Sequence, residues 1–338
     1  MGVADEGFTQ LQDETFQRKA QLYLQQFSRV RSEMAKIVVG QEITVDSFLE
    51  ALLSNGHVLV EGIPGVGKTL VIRALARITG CQFSRIQFTP DLLPTDIVGI
   101  TTYEEGKGFF TVKGPIFSNF VLADEINRSP PKVQSALLES MQEHQATIGK
   151  ETFQLPTPFF VMATQNPVEQ LGTYKLPEAQ VDRFLYKIII SYPTFDDEVK
   201  ILNQNMTLHE FSDFNLAPVL SQMDIMDAQK FVKKVYTNPK IERYIVRIVD
   251  STRHPDKYNL VHGKYLAYGI SPRAGIALHI ASKAHALISG RGYVTPDDVK
   301  HVAYNVLRHR IALNFEGEAE EIKTEMVIKE ILEKVPII

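Results

Sequence analysis

The amino-acid sequence predicts an α/β fold, in which an αβα sandwich holds a parallel five-stranded sheet and a C-terminal all-helical domain follows. Two observations predict it. Before Pro193, short apolar runs rich in Val, Ile or Phe alternate with helical segments, as in strands buried on both faces of a parallel sheet. After Pro193 these runs stop, and apolar residues recur at helical spacing. We therefore predict one domain over about residues 1–192 and a second over about residues 193–338.

Five apolar runs are predicted to form the sheet. They are HVLVE (57–61), FSRIQF (83–88), NFVLADE (119–125), FFVMATQN (159–166) and LYKIIIS (185–191). Between the second and third runs, TTY and FFTVK flank the loop EEGKG, which predicts a β-hairpin inside an insert over about residues 88–117. A first helix around Glu14–Lys36 is expected to pack on the sheet domain through its apolar residues, Phe16, Leu22, Leu24, Phe27 and Val30.

Composition excludes several classes of protein. The chain has 338 residues, of which 44% are hydrophobic and 22% charged, so disordered and fibrous classes are excluded. A net charge of -4 gives no overall attraction to nucleic acid or anionic lipid. A single cysteine, Cys81, permits no intramolecular disulfide. With no signal peptide and no long apolar stretch, we expect a cytoplasmic protein with no membrane insertion and no nucleic-acid partner.

The histidines form no metal motif that sequence spacing reveals. His279 and His285 lie in one helical pattern and His301 and His309 in another, but none has the spacing of known zinc sites. We therefore expect solvated or core positions for them.

The stretch from Gly62 to Thr69 matches G-x-x-x-x-G-K-[ST] and lies between a predicted strand and a predicted helix. Glycines let backbone N–H groups approach phosphate oxygens, and the helix N-terminus adds partial positive charge. Lys68 would reach the β and γ phosphates, and Thr69 would offer its hydroxyl to Mg²⁺. The stretch therefore predicts a nucleoside triphosphate site, formed by Gly62, Pro64, Gly65, Val66, Gly67, Lys68, Thr69 and Leu70.

Two carboxylates follow the third predicted strand. Asp124 would reach the carboxyl edge of the sheet and hold Mg²⁺ together with Thr69. Glu125 would orient and deprotonate the attacking water. The alternative is an acidic pair that only ends a strand or caps the next helix.

Three further polar residues are candidates for contact with the phosphates. Asn166 follows the fourth strand, although Asn before Pro is also a common turn former. Arg183 ends a short helix before the fifth strand, and Arg273 opens a helix in the second domain. Either guanidinium would stabilise the transferring phosphoryl group. The alternative for each is a surface arginine or one that interacts with a helix dipole.

Together these motifs resemble the AAA+ ATPases, and among them the MoxR-type ATPases. The resemblance rests on IVVGQE (37–42), GIPGVGKT (62–69), FTPDLLPTDIVG (88–99), DEINRSPPKVQSALLESMQE (124–143), ATQNP (163–167), LPEAQVDRF (176–184) and SPRA (271–274). It implies that Asn166 is the sensor 1 residue, Arg183 an arginine finger offered to a neighbouring subunit, and Arg273 the sensor 2 residue of a helical lid. The segment Val38–Gln41, with Val39, Gly40 and Gln41, would line the adenine pocket.

The resemblance also implies an activity and partners. The family forms rings, usually hexameric, with ATP at the subunit interfaces, and couples Mg²⁺-dependent hydrolysis of ATP to the remodelling or maturation of proteins, often partners with von Willebrand factor A domains. The hairpin insert would face the ring pore or a partner, unless it only packs. Two other classes share these motifs: a DNA-remodelling motor or metal-chelatase subunit, and a nucleotide-switched scaffold with little turnover.

Overall fold

The computed structural model describes residues 14–62, 65, 67–106, 108–166, 174–203 and 211–337. The helices within them are α1 (Glu14–Met34), α2 (Glu42–Leu53), α3 (Lys68–Ile78), α4 (Pro94–Val98), α5 (Pro131–Glu143), α6 (Glu178–Val181), α7 (Phe195–Asn203), α8 (Gln222–Lys234), α9 (Pro239–Arg253), α10 (Pro272–Ile288), α11 (Pro296–Leu307), α12 (Phe315–Ala319) and α13 (Thr324–Lys334). The strands are β1 (Val58–Gly62), β2 (Phe83–Gln87), β3 (Gly99–Glu104), β4 (Gly108–Lys113), β5 (Phe120–Asp124), β6 (Gln145–Ile148), β7 (Glu151–Gln154), β8 (Phe160–Gln165) and β9 (Tyr186–Ile190).

The five predicted strands form one parallel sheet in the order β2-β5-β8-β1-β9. Residues Phe120–Ala123 of β5 and Phe160–Thr164 of β8 are buried on both faces, which explains their continuous apolar sequence. Register places Val58 opposite both Met162 and Tyr186. The carboxyl ends of β1, β5 and β8 therefore meet at one edge in the middle of the sheet.

Two antiparallel hairpins lie outside this sheet. The predicted one pairs β3 with β4, with Gly99 opposite Lys113 and Glu104 opposite Gly108, so that prediction is confirmed. The second pairs β6 with β7 and was not predicted. Its strands read QATI and ETFQ, and only Ala146 and Ile148 of β6 are buried, so the sequence carries a weak alternating signal.

Helix α1 packs more widely than predicted. It buries one stripe and contacts α2 and α3 of the sheet domain, as expected, but it also contacts α10. The Phe16 ring stacks on Phe231 of α8 with centroids 4.4 Å apart. Leu22, one of the predicted packing residues, is 54% exposed. The helix thus joins the two halves of the chain; its buried residues are Ala20, Tyr23, Phe27, Val30 and Met34.

Helices make up the regular structure of the described residues beyond Pro193, apart from two isolated β-bridges. Helices α9, α10 and α11 pack on one another, and α10 also packs on α2. Side chains cap α8, α9 and α12: Ser221 Oγ accepts from Asp224 N, Asn238 Oδ1 from Lys240 N, and Asn314 Oδ1 from Gly317 N. The division at residues 192–193 stays a prediction. Among the described residues, no helix has both the length and the apolar character needed to cross a bilayer.

Arg310 fastens the helical region to the turn between α6 and β9. Its side chain is only 4% exposed. Nε donates to Asp182 Oδ1 at 2.7 Å, and the Nη atoms donate to the carbonyls of Phe184 at 2.8 Å and Leu185 at 3.1 Å. Burial lowers the pKa of Arg310, and the attraction of Asp182 opposes that effect. The charge is therefore tolerated because each neighbour accepts a hydrogen bond from it.

We expect Arg310→Met to lower the free energy of unfolding by about 3 kcal/mol, because Asp182 and the backbone carbonyls lose a buried donor. Denaturant unfolding measures this change. Lys230→Ala is the control, since Lys230 pairs with Asp227 where both side chains are more than half exposed, and little change is expected there. Equal stability of the Arg310 variant and the wild type would contradict the assigned role.

Candidate active site

The loop between β1 and α3 has the backbone of a phosphate-binding loop. Gly65 and Gly67 have φ of 86° and 78°, in the left-handed region that glycine tolerates. Helix α3 begins at Lys68, directly after this turn, so the N–H groups of its first turn face the loop. Pro64 and Val66 lie outside the described residues, so their assignment to the loop rests on sequence alone.

Lys68 lies in the field of the two carboxylates that end β5. Its Nζ donates to Gly62 O at 2.6 Å. Burial lowers the pKa of Lys68, while the negative charges of Asp124 and Glu125 act in the opposite sense. The charges of Asp124 and Glu125 therefore act on Lys68, so these carboxylates lie near the loop. Thr69 follows Lys68 in the first turn of α3, with Leu70 after it.

Thr164, near the end of β8, holds both carboxylate residues. Its hydroxyl donates to Asp124 Oδ1 at 2.7 Å and accepts from the backbone N–H of Glu125 at 2.8 Å. Thr164 is 1% exposed. The pairing of β5 with β8 brings it beside Asp124. Sequence reasoning missed this residue, although a threonine at the end of an otherwise apolar run was a signal.

Glu125 has a strained backbone, with φ of 58° in the left-handed region. Its Oε2 accepts from Gln87 Nε2 and from Arg128 Nη1, each at 3.0 Å. Arg128 therefore contacts Glu125 of its own chain. Two strand ends and a short 3-10 turn thus fix this carboxylate.

Arg85 was also missed by sequence reasoning. It lies on β2 and donates to Asp124 Oδ2 through Nη2 at 2.6 Å and Nε at 3.1 Å. A single charged residue within the apolar run FSRIQF was its signal. The oxygens of Asp124 and Thr69 are the hard donors that Mg²⁺ prefers, so the site fits that ion. In this structure, the guanidinium of Arg85 balances the charge of the Asp124 carboxylate.

Asn166 and the two predicted arginines occupy two different places. Asn166 is 6% exposed and directly follows β8, at the same sheet edge as Glu125. Arg183 is exposed and has no side-chain hydrogen bond or ion pair within the described part of the chain. Arg273 is 57% exposed, and its Nη1 lies 3.7 Å from Oδ2 of Asp182, the neighbour of Arg183. The arginines thus belong to one surface; their roles stay predictions.

The segment proposed for adenine precedes α2. Val38 is buried, Val39 is half-buried, and Gly40 has φ of 69°. A Cβ on Gly40 would overlap the Asp197 carboxylate of α7, so glycine is required there for packing as well as for conformation. Gln41 follows directly before α2. The segment Val38–Gln41 therefore lies close to α7, the first helix after β9.

A cavity of about 880 Å³ opens beside the site, between the sheet edge and the helical region. On the sheet side it is lined by Glu61, Gln165 and Asn166, and on the helical side by Arg308 and Glu325. A Lys187–Glu61 ion pair of 2.5 Å borders it. The sequence indicated only Asn166 of these residues.

A parallel sheet with a phosphate loop after β1, acidic residues after β5 and a helical C-terminal region defines an AAA+ fold of the P-loop class. A family model described as ATPase family associated with various cellular activities matches residues 57–186, and an AAA lid domain model matches residues 260–331. The first match falls on the part of the chain that holds the parallel sheet, and the second falls on the helical part.

Related proteins and a solved structure match most of the chain. Chaperone MoxR1 of Mycobacterium tuberculosis is 46% identical over 90% of this chain and 80% of its own length, and protein YeaC of Bacillus subtilis is 46% identical over 89% and 92%. A crystal structure from Cytophaga hutchinsonii, of a protein assigned as an ATPase, superposes with a TM-score of 0.89 at 45% identity, covering 96% of this chain and 99% of that one. The chain belongs to the MoxR-type family of AAA+ ATPases.

We expect Thr164→Val to lower ATP turnover by about 10–100-fold, as for other residues that orient the groups in contact with a metal. Valine fills the same space but leaves Asp124 and the Glu125 amide without their partner. Steady-state phosphate release measures this loss. Thr147→Val, in the exposed Thr147–Thr152 pair of the second hairpin, is the matched control and should turn over normally. Wild-type turnover in the Thr164 variant would contradict the proposed orientation.

Proposed function

We propose that this chain binds Mg²⁺–ATP and hydrolyses it to ADP and phosphate as a subunit of a homo-oligomeric ring, usually hexameric in the family. The turnover is coupled to remodelling or maturation of a partner protein. The observation that carries the proposal is the placement of the phosphate loop after β1 and of Asp124 and Glu125 at the end of β5, because both strands pair with β8 and end at the same sheet edge. A relative that is 46% identical bears the name chaperone, which supports the coupling to other proteins. We place this activity in the cytoplasm.

The nucleotide is held by groups of three kinds. Backbone N–H groups of the glycine loop and the Lys68 ammonium take the phosphates. Thr69 and Asp124 hold Mg²⁺, which supplies positive charge to the phosphates when bound. Asn166, at the end of β8, contacts the γ-phosphate or the water. The segment Val39–Gln41 takes the adenine.

Glu125 acts on the attacking water as general base. Gln87 and Arg128 fix its Oε2, and Thr164 fixes its backbone, so the carboxylate is held before substrate arrives. Glu125 adopts a left-handed backbone conformation in spite of the strain, and such strain is concentrated at functional sites.

Arg183 serves the site of the neighbouring subunit as an arginine finger, and Arg273 is the sensor 2 residue of the helical lid. Arg183 is exposed in the turn after α6, and Arg273 lies at Asp182 beside it. Arg310 holds the same turn from the helical region. An exposed guanidinium on a turn held in this way is suited to a phosphate presented by another chain.

The β3–β4 hairpin contacts the partner protein. Both of its faces expose apolar side chains of a kind that marks interaction surfaces: Ile100, Phe110 and Val112 on one face, Tyr103 and Phe109 on the other. By family resemblance, a protein with a von Willebrand factor A domain is the expected partner. Such a partner should stimulate turnover, whereas single-stranded DNA should not.

Two substitutions separate binding from chemistry. Lys68→Ala should abolish ATP binding in a calorimetric titration, because the phosphates lose their main cationic side chain. Glu125→Gln should bind Mg²⁺–ATP with near-normal affinity but hydrolyse it about 10²–10⁴-fold more slowly, since an amide of equal size is a poor base. Normal turnover in the Glu125 variant would show that Glu125 is not the general base. Normal affinity in the Lys68 variant would show that the phosphates bind elsewhere.

Mixing two inactive variants tests the ring. Arg183→Ala should bind ATP yet lose about 10³–10⁵-fold in turnover, as expected for an arginine finger. Mixed with Lys68→Ala, it should regain activity, because some interfaces then pair an intact Lys68 with an intact Arg183. Specific activity of the wild type should also rise with protein concentration. If mixed rings form and stay inactive, Arg183 does not act between subunits.

A further inference from the structure

Three side chains from three helices meet where the helical region packs on the sheet domain. Glu50 comes from α2, His285 from α10 and His301 from α11. Glu50 Oε1 lies 2.7 Å from His285 Nδ1 and 3.3 Å from His301 Nε2. The three donor atoms all lie within 4.8 Å of one another. Sequence spacing gave no sign of this cluster, since Glu50 and His285 are 235 positions apart.

A second layer of side chains orients this cluster. The Tyr186 hydroxyl donates to Glu50 Oε2 at 2.8 Å, which leaves Oε1 directed at the two imidazoles. Asp298 Oδ1 lies 3.6 Å from His285 Nε2, the ring nitrogen remote from Glu50, so a carboxylate faces each side of this imidazole. Arg291 and Thr295 hold Asp298 in turn. Histidine ligands of metals have partners of this kind.

The cluster also requires positive charge. Glu50 is fully buried and Asp298 is 1% exposed. The bidentate Arg291 offsets the charge of Asp298, with N–O distances of 2.5 and 2.7 Å. The Glu50 carboxylate then has the Tyr186 hydroxyl and the two imidazoles beside it, and a buried carboxylate whose neighbours are all neutral is strongly unfavourable. A cation among the three donor atoms satisfies it.

We propose that Glu50, His285 and His301 bind a divalent transition-metal cation of the Zn²⁺ type. Two imidazole nitrogens and one carboxylate oxygen suit such ions and not Mg²⁺ or Ca²⁺, which take oxygen donors. Bonds of ~2.0–2.2 Å in a tetrahedral site separate donor atoms by roughly 3.3–3.5 Å. The Glu50–His301 distance of 3.3 Å already fits, and the 2.7 Å Glu50–His285 contact is a hydrogen bond that the ion replaces. Water reaches the fourth position from the side of His301, whose side chain is 38% exposed.

The ion would fasten the helical region to the sheet domain. Its ligands come from α2 on one side and from α10 and α11 on the other, and Tyr186 belongs to the edge strand β9. Binding energy at such a site adds directly to the stability of the packed arrangement. This role is separate from the nucleotide site and does not depend on the proposed ATPase activity.

Co²⁺ titration of the nucleotide-free full chain, without an affinity tag, tests the site. We expect one equivalent to bind, with the visible absorption of tetrahedral Co²⁺, displacement by Zn²⁺ and a rise in melting temperature. Glu50→Gln and His301→Gln should each remove the tetrahedral spectrum, and Tyr186→Phe should weaken binding by about 10–100-fold. His279→Gln, on the same helix as His285 but hydrogen-bonded to Thr237, should bind like the wild type.

Two results would overturn the proposal. One is a wild-type chain that binds no Co²⁺ or Zn²⁺, in which case protonated histidines alone balance Glu50. The other is a tetrahedral spectrum that survives in folded His301→Gln, since His301 is half-exposed and its loss should leave the fold intact. Circular dichroism of each variant establishes folding, and the wild-type titration decides the matter even if Glu50→Gln does not fold.

Discussion

The candidate active site depends on the parallel pairing of β5 with β8. That pairing brings a buried hydroxyl, Thr164, between the end of one strand and the carboxylates that follow the other. Because β8 also pairs with β1, the phosphate loop emerges at the same edge. Strand order thus places Lys68 within the field of Asp124 and Glu125.

Much of this arrangement could be predicted from the sequence, for a physical reason. The inner strands β5 and β8 are buried on both faces, so they appear as continuous apolar runs, and residues that follow such runs lie at the carboxyl edge. The phosphate loop adds a motif whose glycines are dictated by backbone conformation, as the positive φ of Gly65 and Gly67 bears out. The β6–β7 hairpin was not predicted because its strands are short and mostly polar.

What could not be predicted are contacts made by single polar residues across the fold. Arg85 reaches Asp124 only because β2 lies next to β5 in the sheet. Arg310 and Asp182 are 128 positions apart, and their ion pair follows from how the helical region is seated. The cluster around Glu50 needs three helices to meet. Neither periodicity nor spacing encodes such meetings, because each partner taken alone resembles an ordinary surface residue.

The edge strand β9 connects these features mechanically. Its free edge is covered from the helical region, where Arg308 donates to Lys187 O at 2.7 Å and Arg310 to Leu185 O at 3.1 Å. Its Tyr186 holds Glu50 from within. Arg183 lies in the turn that precedes β9. The other edge of β9 pairs with β1, which leads into the phosphate loop. A displacement of the helical region must therefore move β9 with it or break buried hydrogen bonds. Because β9 pairs with β1 and follows the turn that carries Arg183, it links the strand before the phosphate loop to the surface that holds the arginines.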